Sequence, residues 1–351
     1  MSDYLKKVLI SKGVSVYEIL PRLKVKRFVI STPFTRKILN RPEICGFEYV
    51  DYLRQGLTSF FRSSFGRKYF SCLDDSKISV LHFLRGGLNF GLLEILYKCF
   101  GFSRVNASFM TSQRVRKGAH WRIKHDQYRK FALDGISTVM AADVIATGTT
   151  LKNGLDCLKV PLKHFLFFTI GTSCAEKILL ERFGKLGKRN PGFSAALFYI
   201  EGRFALVEKD GEYPFSIKGT DLVKKGALLP PEFERGLDIT SILERCEVYD
   251  VGARAFDRKR HLADIFCYWR NLFRAGVTVS ELYNRRWPFE WAKFSEYSRD
   301  KKRVWPDAQE SLLRKLYEEE TRRKNRAGKI DSKRFFQERL NKLKKWGNGN
   351  V

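Results

Sequence analysis

Acidic residues are scarce in this chain. Its 351 residues include 38 Asp+Glu against 66 Lys+Arg, a formal net charge of +28. A deficit of this size argues for polyanionic partners: phosphate-rich substrates, nucleic acid or an acidic membrane surface. The plainer alternative is a solvated basic surface. No run of about 18 apolar residues occurs, so no transmembrane span and no membrane partner are expected. The opening MSDYLKKVLISKG lacks the apolar stretch of a signal peptide, and a cytoplasmic location is the expectation. The seven cysteines include no CxxC pair and are odd in number. That pattern fits reduced, mostly buried thiols and excludes a disulfide framework or a zinc site. His120 and His125 are separated by four residues but lie outside any Glu-x-x-His frame, so no protein metal site is expected. GxxxxGK[ST] is missing too, which excludes a Walker A loop. There is no internal repeat and no low-complexity tract.

What is present is an ordinary 44% apolar content, in a chain long enough for one large domain with additions or for two domains. RFVISTPF (27–34) reads as a strand and FEYVDYLRQGLTSFF (47–61) as a helix. Then strand-like and helix-like segments alternate. KISVLHFL (77–84) is followed by NFGLLEILYKCFGF, and RVNASFMTSQR (104–114) by a basic loop. GISTVMAAD (135–143) is followed by TTLKNGLDCLK (149–159). KHFLFFTIGT (163–172) leads into SCAEKILLERFGKL, with Ser173 as the expected N-cap. Such alternation indicates βαβ units and a parallel sheet, with ligands beyond the C-terminal ends of the strands. Those ends carry Arg85-Gly86-Gly87, the stretch from Asp143 to Thr150, and Gly171-Thr172. After about residue 190, SAALFYIEGRFALVEKDGEYPFSI reads as antiparallel strands, and ARAFDRKRHLADIFCYWRNLFRAG and 307–346 as helices. Gly219-Thr220-Asp221 reads as an N-cap for LVKKG.

The turn Ala146-Thr147-Gly148-Thr149-Thr150 is suited to a monophosphate. Backbone N–H groups at a helix start face the anion, the glycine permits close approach, and threonine hydroxyls add hydrogen bonds. An acid four residues before Thr147 could reach the sugar hydroxyls of the same ligand. The whole segment VMAADVIATGTT (139–150) resembles the phosphoribosyl pyrophosphate (PRPP) motif of type I phosphoribosyltransferases. FLRGGLNFG (83–91) resembles the pyrophosphate loop of that family, and TSQRVRKGAHWRIKHDQYRK (111–130) sits where the family has its mobile catalytic loop. The resemblance covers roughly residues 70–175. It departs at one place: the paired acids of the family should fall at 142 and 143, and this chain has Ala142-Asp143.

The resemblance implies an α/β fold. Residues 71–190 would form a parallel-sheet core, 1–70 an N-terminal segment packed on it, and 191–351 a C-terminal α+β extension, largely helical and basic at its end. It implies transfer of 5-phosphoribose from PRPP to a nitrogenous acceptor, with Mg2+ held mostly by substrate oxygens. Asp143 would hold the ribose and act in catalysis with Arg114 and Lys117 from the lid. Ala146, Thr147, Gly148, Thr149 and Thr150 would hold the 5′-phosphate, and Arg85, Gly86 and Gly87 the pyrophosphate. Gly171-Thr172 and the extension would shape the acceptor pocket. Restoring the second acid by Ala142→Asp is expected to strengthen PRPP binding. PRPP or a nucleoside monophosphate is the expected ligand, and the resemblance also admits a homodimer. The other function class is a noncatalytic or diverged regulator or defence effector. It would grip nucleic acid through Lys and Arg of the C-terminal helices, with Trp305, Phe335, Phe336 and Trp346 for stacking.

Overall fold

A computed structural model describes residues 3–11, 13–118, 120–184, 192–249 and 251–348. Its centre is a ten-stranded mixed sheet: β1 (Tyr4–Ser11), β2 (Val14–Leu20), β3 (Val25–Ser31), β4 (Ile78–Phe83), β5 (Asn106–Lys117), β6 (His120–Lys130), β7 (Thr138–Ile145), β8 (His164–Thr172), β9 (Ser194–Leu206) and β10 (Leu222–Leu228). The order across the sheet is β1-β2-β3-β9-β8-β7-β4-β5-β6, with β10 added on β9. The six strands from β3 to β5 run parallel; β1, β2, β6 and β10 are antiparallel to their neighbours.

The central strands read as apolar runs because both of their faces are buried. Alternate residues enter two separate cores, as a period of two requires. Met140, Ala142, Leu166, Phe168, Ala196 and Phe198 point into one. Val139, Ala141, Phe165, Phe167, Leu197 and Tyr199 point into the other. The first core is rich in phenylalanine; Phe198 stacks on Phe168 at 4.7 Å and on Phe28 at 5.3 Å between centroids. It is covered by α2 (Phe47–Arg62), α3 (Ser64–Phe70) and α4 (Leu92–Phe100). The second is covered by α5 (Thr149–Cys157) and α6 (Ser173–Phe183). A further helix, α1 (Pro33–Asn40), opens with a Thr32–Thr35 capping box.

The sheet crosses both expected boundaries, near 70 and near 190. β1–β3 precede the first, and β9 lies between β3 and β8. The antiparallel reading of 194–217 is corrected here: β9 is parallel to β8 over Phe165–Thr169, and 207–221 is a loop, not a strand. Strand direction is set by which distant strand pairs with β9, and local pattern does not carry that information. The N-cap of α6 is Thr172, one residue before the expected Ser173; its hydroxyl accepts from Cys174 N–H.

Beyond β10 the described chain is helical: α7 (Pro231–Arg235), α8 (Ile239–Leu243), α9 (Val251–Phe256), α10 (Arg258–Arg274), α11 (Val279–Arg286), α12 (Phe294–Val304), α13 (Glu310–Lys329) and α14 (Ser332–Asn348). α10, α11 and α14 extend the first core, α12 and α13 the second. Arg254 of α9 is fully buried. It donates to the carbonyls of Ile38 (2.6 Å), Arg41 (2.9 Å) and Ile44 (2.8 Å), and its guanidinium lies 4.4 Å from the Tyr49 ring centre. Arg254→Met would remove a donor from the buried Ile38 and Ile44 carbonyls and leave Arg41 O with the Ile44 N–H alone. We expect a loss of about 2–4 kcal/mol in urea denaturation.

The C-terminal aromatics face inward. Trp305 and Phe336 are each 2% exposed, and the Trp305 indole donates to Leu229 O. Arg323 donates to the carbonyls of Glu234 and Leu237, and Lys324 to that of Phe289. The aromatic spacing marked core positions, so Trp305 and Phe336 are not free to stack on bases. Among the described residues, no helix is long and apolar enough to cross a membrane.

Candidate functional site

The chain leaves β4 for α4 on one face and β7 for α5 on the other. The two loops therefore part at the C-terminal ends of two adjacent parallel strands, where open α/β sheets form ligand crevices. A cavity of about 580 Å3 opens there. Arg85 and Gly86 line it from the loop after β4, and Asp143, Ala146, Gly148, Thr149 and Thr150 from the end of β7 and the turn beyond. The fold brings these residues together, while Thr147 and Gly87, expected beside them, are not among the residues that line the cavity.

Gly148 is the N-cap of α5, with φ +75°, in the left-handed region that glycine adopts without strain. It turns the chain so that α5 begins at the cavity, which Gly148, Thr149 and Thr150 line. Thr147 and Thr149 share a hydroxyl hydrogen bond of 3.0 Å. The turn is held from behind: the Thr172 hydroxyl donates to Ala146 O (2.7 Å), and the buried Tyr199 hydroxyl donates to Thr172 O (3.0 Å). Gly171 and Thr172 thus support the turn 146–150, and neither lines the cavity.

On the opposite wall, the Leu84–Arg85 peptide is cis, and a short 3-10 turn follows over Gly86–Phe90. A side chain at Gly86 would come within 2.6 Å of Asp143 Oδ1, and one at Gly87 within 2.7 Å of Ala142 O. The glycines allow this loop to lie directly against the end of β7. His82, stacked on Phe109 at 5.2 Å, is hydrogen-bonded to the Gly87 backbone and braces the loop from below.

Asp143 is half-buried between these two loops. Loss of solvation pushes its carboxyl up to about 7, against the pull of the Val144 N–H and the Arg114 charge. Ala142 points the other way, 1% exposed in the apolar core. The expectation that a second acid would fit there is corrected: the position holds core packing and does not line the cavity.

The basic segment 111–130 is an antiparallel ribbon, β5 and β6, where a loop was expected. Ser112, Arg114 and Trp121 reach the cavity, and the Arg114 guanidinium lies 5.7 Å from the Trp121 ring centre. Arg116 pairs with Asp210 at 2.6 Å, and the Trp121 indole packs near Gly219, docking the ribbon on the loop before β10. Lys117 ends β5; its side chain lies outside the described residues.

The remaining wall was missed by sequence reasoning. Gly219–Leu222, Arg245, Cys246, Val248, Tyr249 and Arg260 come from the loop before β10, the segment after α8, and α10. Asp221 is fully buried and precedes a strand, so its expected role as a helix N-cap is corrected. Its Oδ2 accepts from Ile217 N–H (3.1 Å) and lies 3.1 Å from Arg245 Nε. Burial raises the Asp221 carboxyl to about 6 despite Arg245.

Among the described residues, no group of three or more His, Cys, Asp or Glu could hold a metal ion. Of the described residues lining the cavity, Asp143 and Asp221 are the carboxylates, and they come from separate walls; one carboxylate beside the turn would suit a divalent ion held mainly by oxygens of a bound molecule.

No family model and no curated protein matches the sequence. Solved structures similar to parts of it include a purine phosphoribosyltransferase from Pyrococcus horikoshii, 12% identical, with a TM-score of 0.24 over 44% of this chain and 83% of that one. Another is an adenine phosphoribosyltransferase from Trypanosoma brucei in complex with AMP, pyrophosphate and ribose-5-phosphate, 16% identical, with a TM-score of 0.31 over 50% and 84%. A third is a hypoxanthine phosphoribosyltransferase from Staphylococcus aureus, 15% identical, with a TM-score of 0.22 over 39% and 64%. At such identities and scores the chemistry has to be read from this chain's own residues.

Proposed function

We propose that the cavity binds PRPP or a nucleoside 5′-monophosphate, and that the protein transfers 5-phosphoribose to a nitrogenous acceptor. The observation that carries this reading is the meeting, at one crevice, of a threonine-rich helix start, a lone half-buried carboxylate and a glycine loop with an arginine. In this reading the 5′-phosphate sits on the turn 146–150, and Asp143 accepts hydrogen bonds from the ribose hydroxyls. The pyrophosphate lies against Arg85 and Gly86, with Gly87 packed behind them on Ala142 and Arg114 closing from the ribbon. The acceptor nitrogen bonds to the ribose carbon as the bond to pyrophosphate breaks, and pyrophosphate leaves with the electron pair. Asp143 offsets the positive charge that develops on the ribose. Bound Mg2+ would neutralise the pyrophosphate oxygens, with Asp143 as the nearby protein carboxylate.

The test is calorimetric titration with PRPP and Mg2+, followed by pyrophosphate release across a panel of nitrogenous bases. Saturable PRPP binding with release on one class of base is expected. Thr147→Val with Thr150→Val should weaken binding of PRPP or a nucleoside monophosphate by roughly 1–3 kcal/mol and leave the thermal melt unchanged. Equal affinity in the double variant would remove the phosphate from this turn.

A further inference from the structure

The half of the cavity built by 219–222 and the segment after α8 carries a polarity of its own. Leu222, Cys246 and Val248 give it apolar surface, and Tyr249 stands beside them. The Tyr249 hydroxyl is turned away, donating to Glu244. Of the described residues lining this half, Asp221 alone is acidic. Its Oδ2 is occupied by Ile217 N–H and faces Arg245; its Oδ1 is buried and has no hydrogen-bond partner among the described residues. A buried acceptor without a donor destabilises a fold, and it persists where something else supplies the donor. Arg245 does not: its salt bridge runs to Oδ2, and its other arm is drawn to Asp264 at 3.1 Å.

We infer that Asp221 selects the acceptor. The ligand would be a flat nitrogen heterocycle with an amino group or a ring N–H aimed at Asp221 Oδ1. Acceptors that present a carboxylate or a carbonyl oxygen at that place are disfavoured, because two acceptor atoms would then face each other at a buried carboxylate oxygen. The inference rests on the phosphoribose reading for the position of the sugar, but its recognition chemistry belongs to a different wall. Trp121 and Tyr249, which also line the cavity, supply ring faces of the kind a planar heterocycle packs against.

The experiment is calorimetry on the full chain with free bases, alone and with PRPP plus Mg2+ present. Adenine and cytosine represent amino-bearing rings, nicotinate and orotate carboxylate-bearing ones. The wild type should bind at least one amino-bearing base ten-fold or more tightly than either carboxylate. In Asp221→Asn, an isosteric change, that preference should fall to within about three-fold, with PRPP affinity unaltered. Tighter binding of a carboxylate-bearing ring by the wild type would overturn the inference without any variant. So would a folded Asp221→Asn protein that keeps its full preference. Absence of PRPP binding with the base preference intact would instead count against the phosphoribose reading and leave the role of Asp221 standing.

Discussion

Asp143→Asn is expected to weaken PRPP binding about 10- to 100-fold and, at the same time, to make the unliganded protein more stable at pH 8. The first effect follows from replacing an anionic acceptor of ribose hydroxyl hydrogen bonds by a neutral amide, a difference of about 1.5–3 kcal/mol for charge-assisted bonds. The second follows from the cost of the charge. Asp143 is held in a partly dehydrated position, and its carboxyl is raised from its ordinary value to about 7. A carboxyl with a raised folded-state value contributes stability that is fully present below about pH 4 and is lost as pH rises through about 7. Asparagine does not titrate. The gap between variant and wild type should therefore open between about pH 4 and pH 7 and stay level above, reaching about 1–3 kcal/mol once the half-exposure of the site is allowed for.

Urea denaturation at pH 5 and pH 8, paired with PRPP calorimetry, reads both effects. Glu201 and Glu247 are also raised to about 7 by burial, but they titrate in both proteins and cancel in the comparison. The two readouts separate the roles. A purely structural Asp143 would lose stability on substitution, whereas a carboxylate kept for ligand trades stability for binding. Unchanged PRPP affinity in the variant, or a stability gap that does not depend on pH, would remove Asp143 from the ribose site.

The parts of the site that were legible in the sequence are those made by one local stretch. β7 and β8 are apolar runs because they are buried on both faces, and the glycine and threonines after β7 announce the left-handed N-cap and the hydroxyl pair of the turn. The loop at 84–91 was legible for the same reason: Gly86 and Gly87 are needed where backbone lies against Asp143 and Ala142. The wall that carries Asp221 could not be read this way. Asp221 and Arg245 are joined only by folding, and an aspartate ahead of LVKKG looks like a helix cap until β10 pairs with β9. The ribbon was read as a loop because its charge hides its alternation; Arg114, Arg116, Arg122 and Lys124 occupy strand positions that face solvent for most of its length. At the C-terminus the aromatic spacing was a core signal: Trp269 packs near Phe335 and Phe336, at 6.1 and 5.8 Å.

Ala142→Asp is the variant on which motif and structure disagree most. The motif asks for an acid there, and the variant should then gain PRPP affinity. The structure gives the opposite expectation. Ala142 is 1% exposed, lies across from His82 on one neighbouring strand and Phe168 on the other, and is surrounded by the first core. Gly87 approaches its carbonyl so closely that not even a methyl group would fit on that glycine. A carboxyl at 142 would press upward on the 86–90 turn and place an unpaired charge among Met140, Phe168 and their neighbours. The expected cost is about 2–5 kcal/mol of stability, seen as a lower urea midpoint, with no gain in Mg2+-dependent PRPP binding. Ala142→Ser serves as the size control: its small hydroxyl adds bulk without charge and should cost under about 2 kcal/mol. A folded Ala142→Asp protein that binds PRPP more tightly than the wild type would mean that the glycine turn lifts to seat a second carboxylate on the ribose. The single acid would then be a deletion from a two-acid site. If the variant is destabilised and gains nothing, the cavity is built around Asp143 alone.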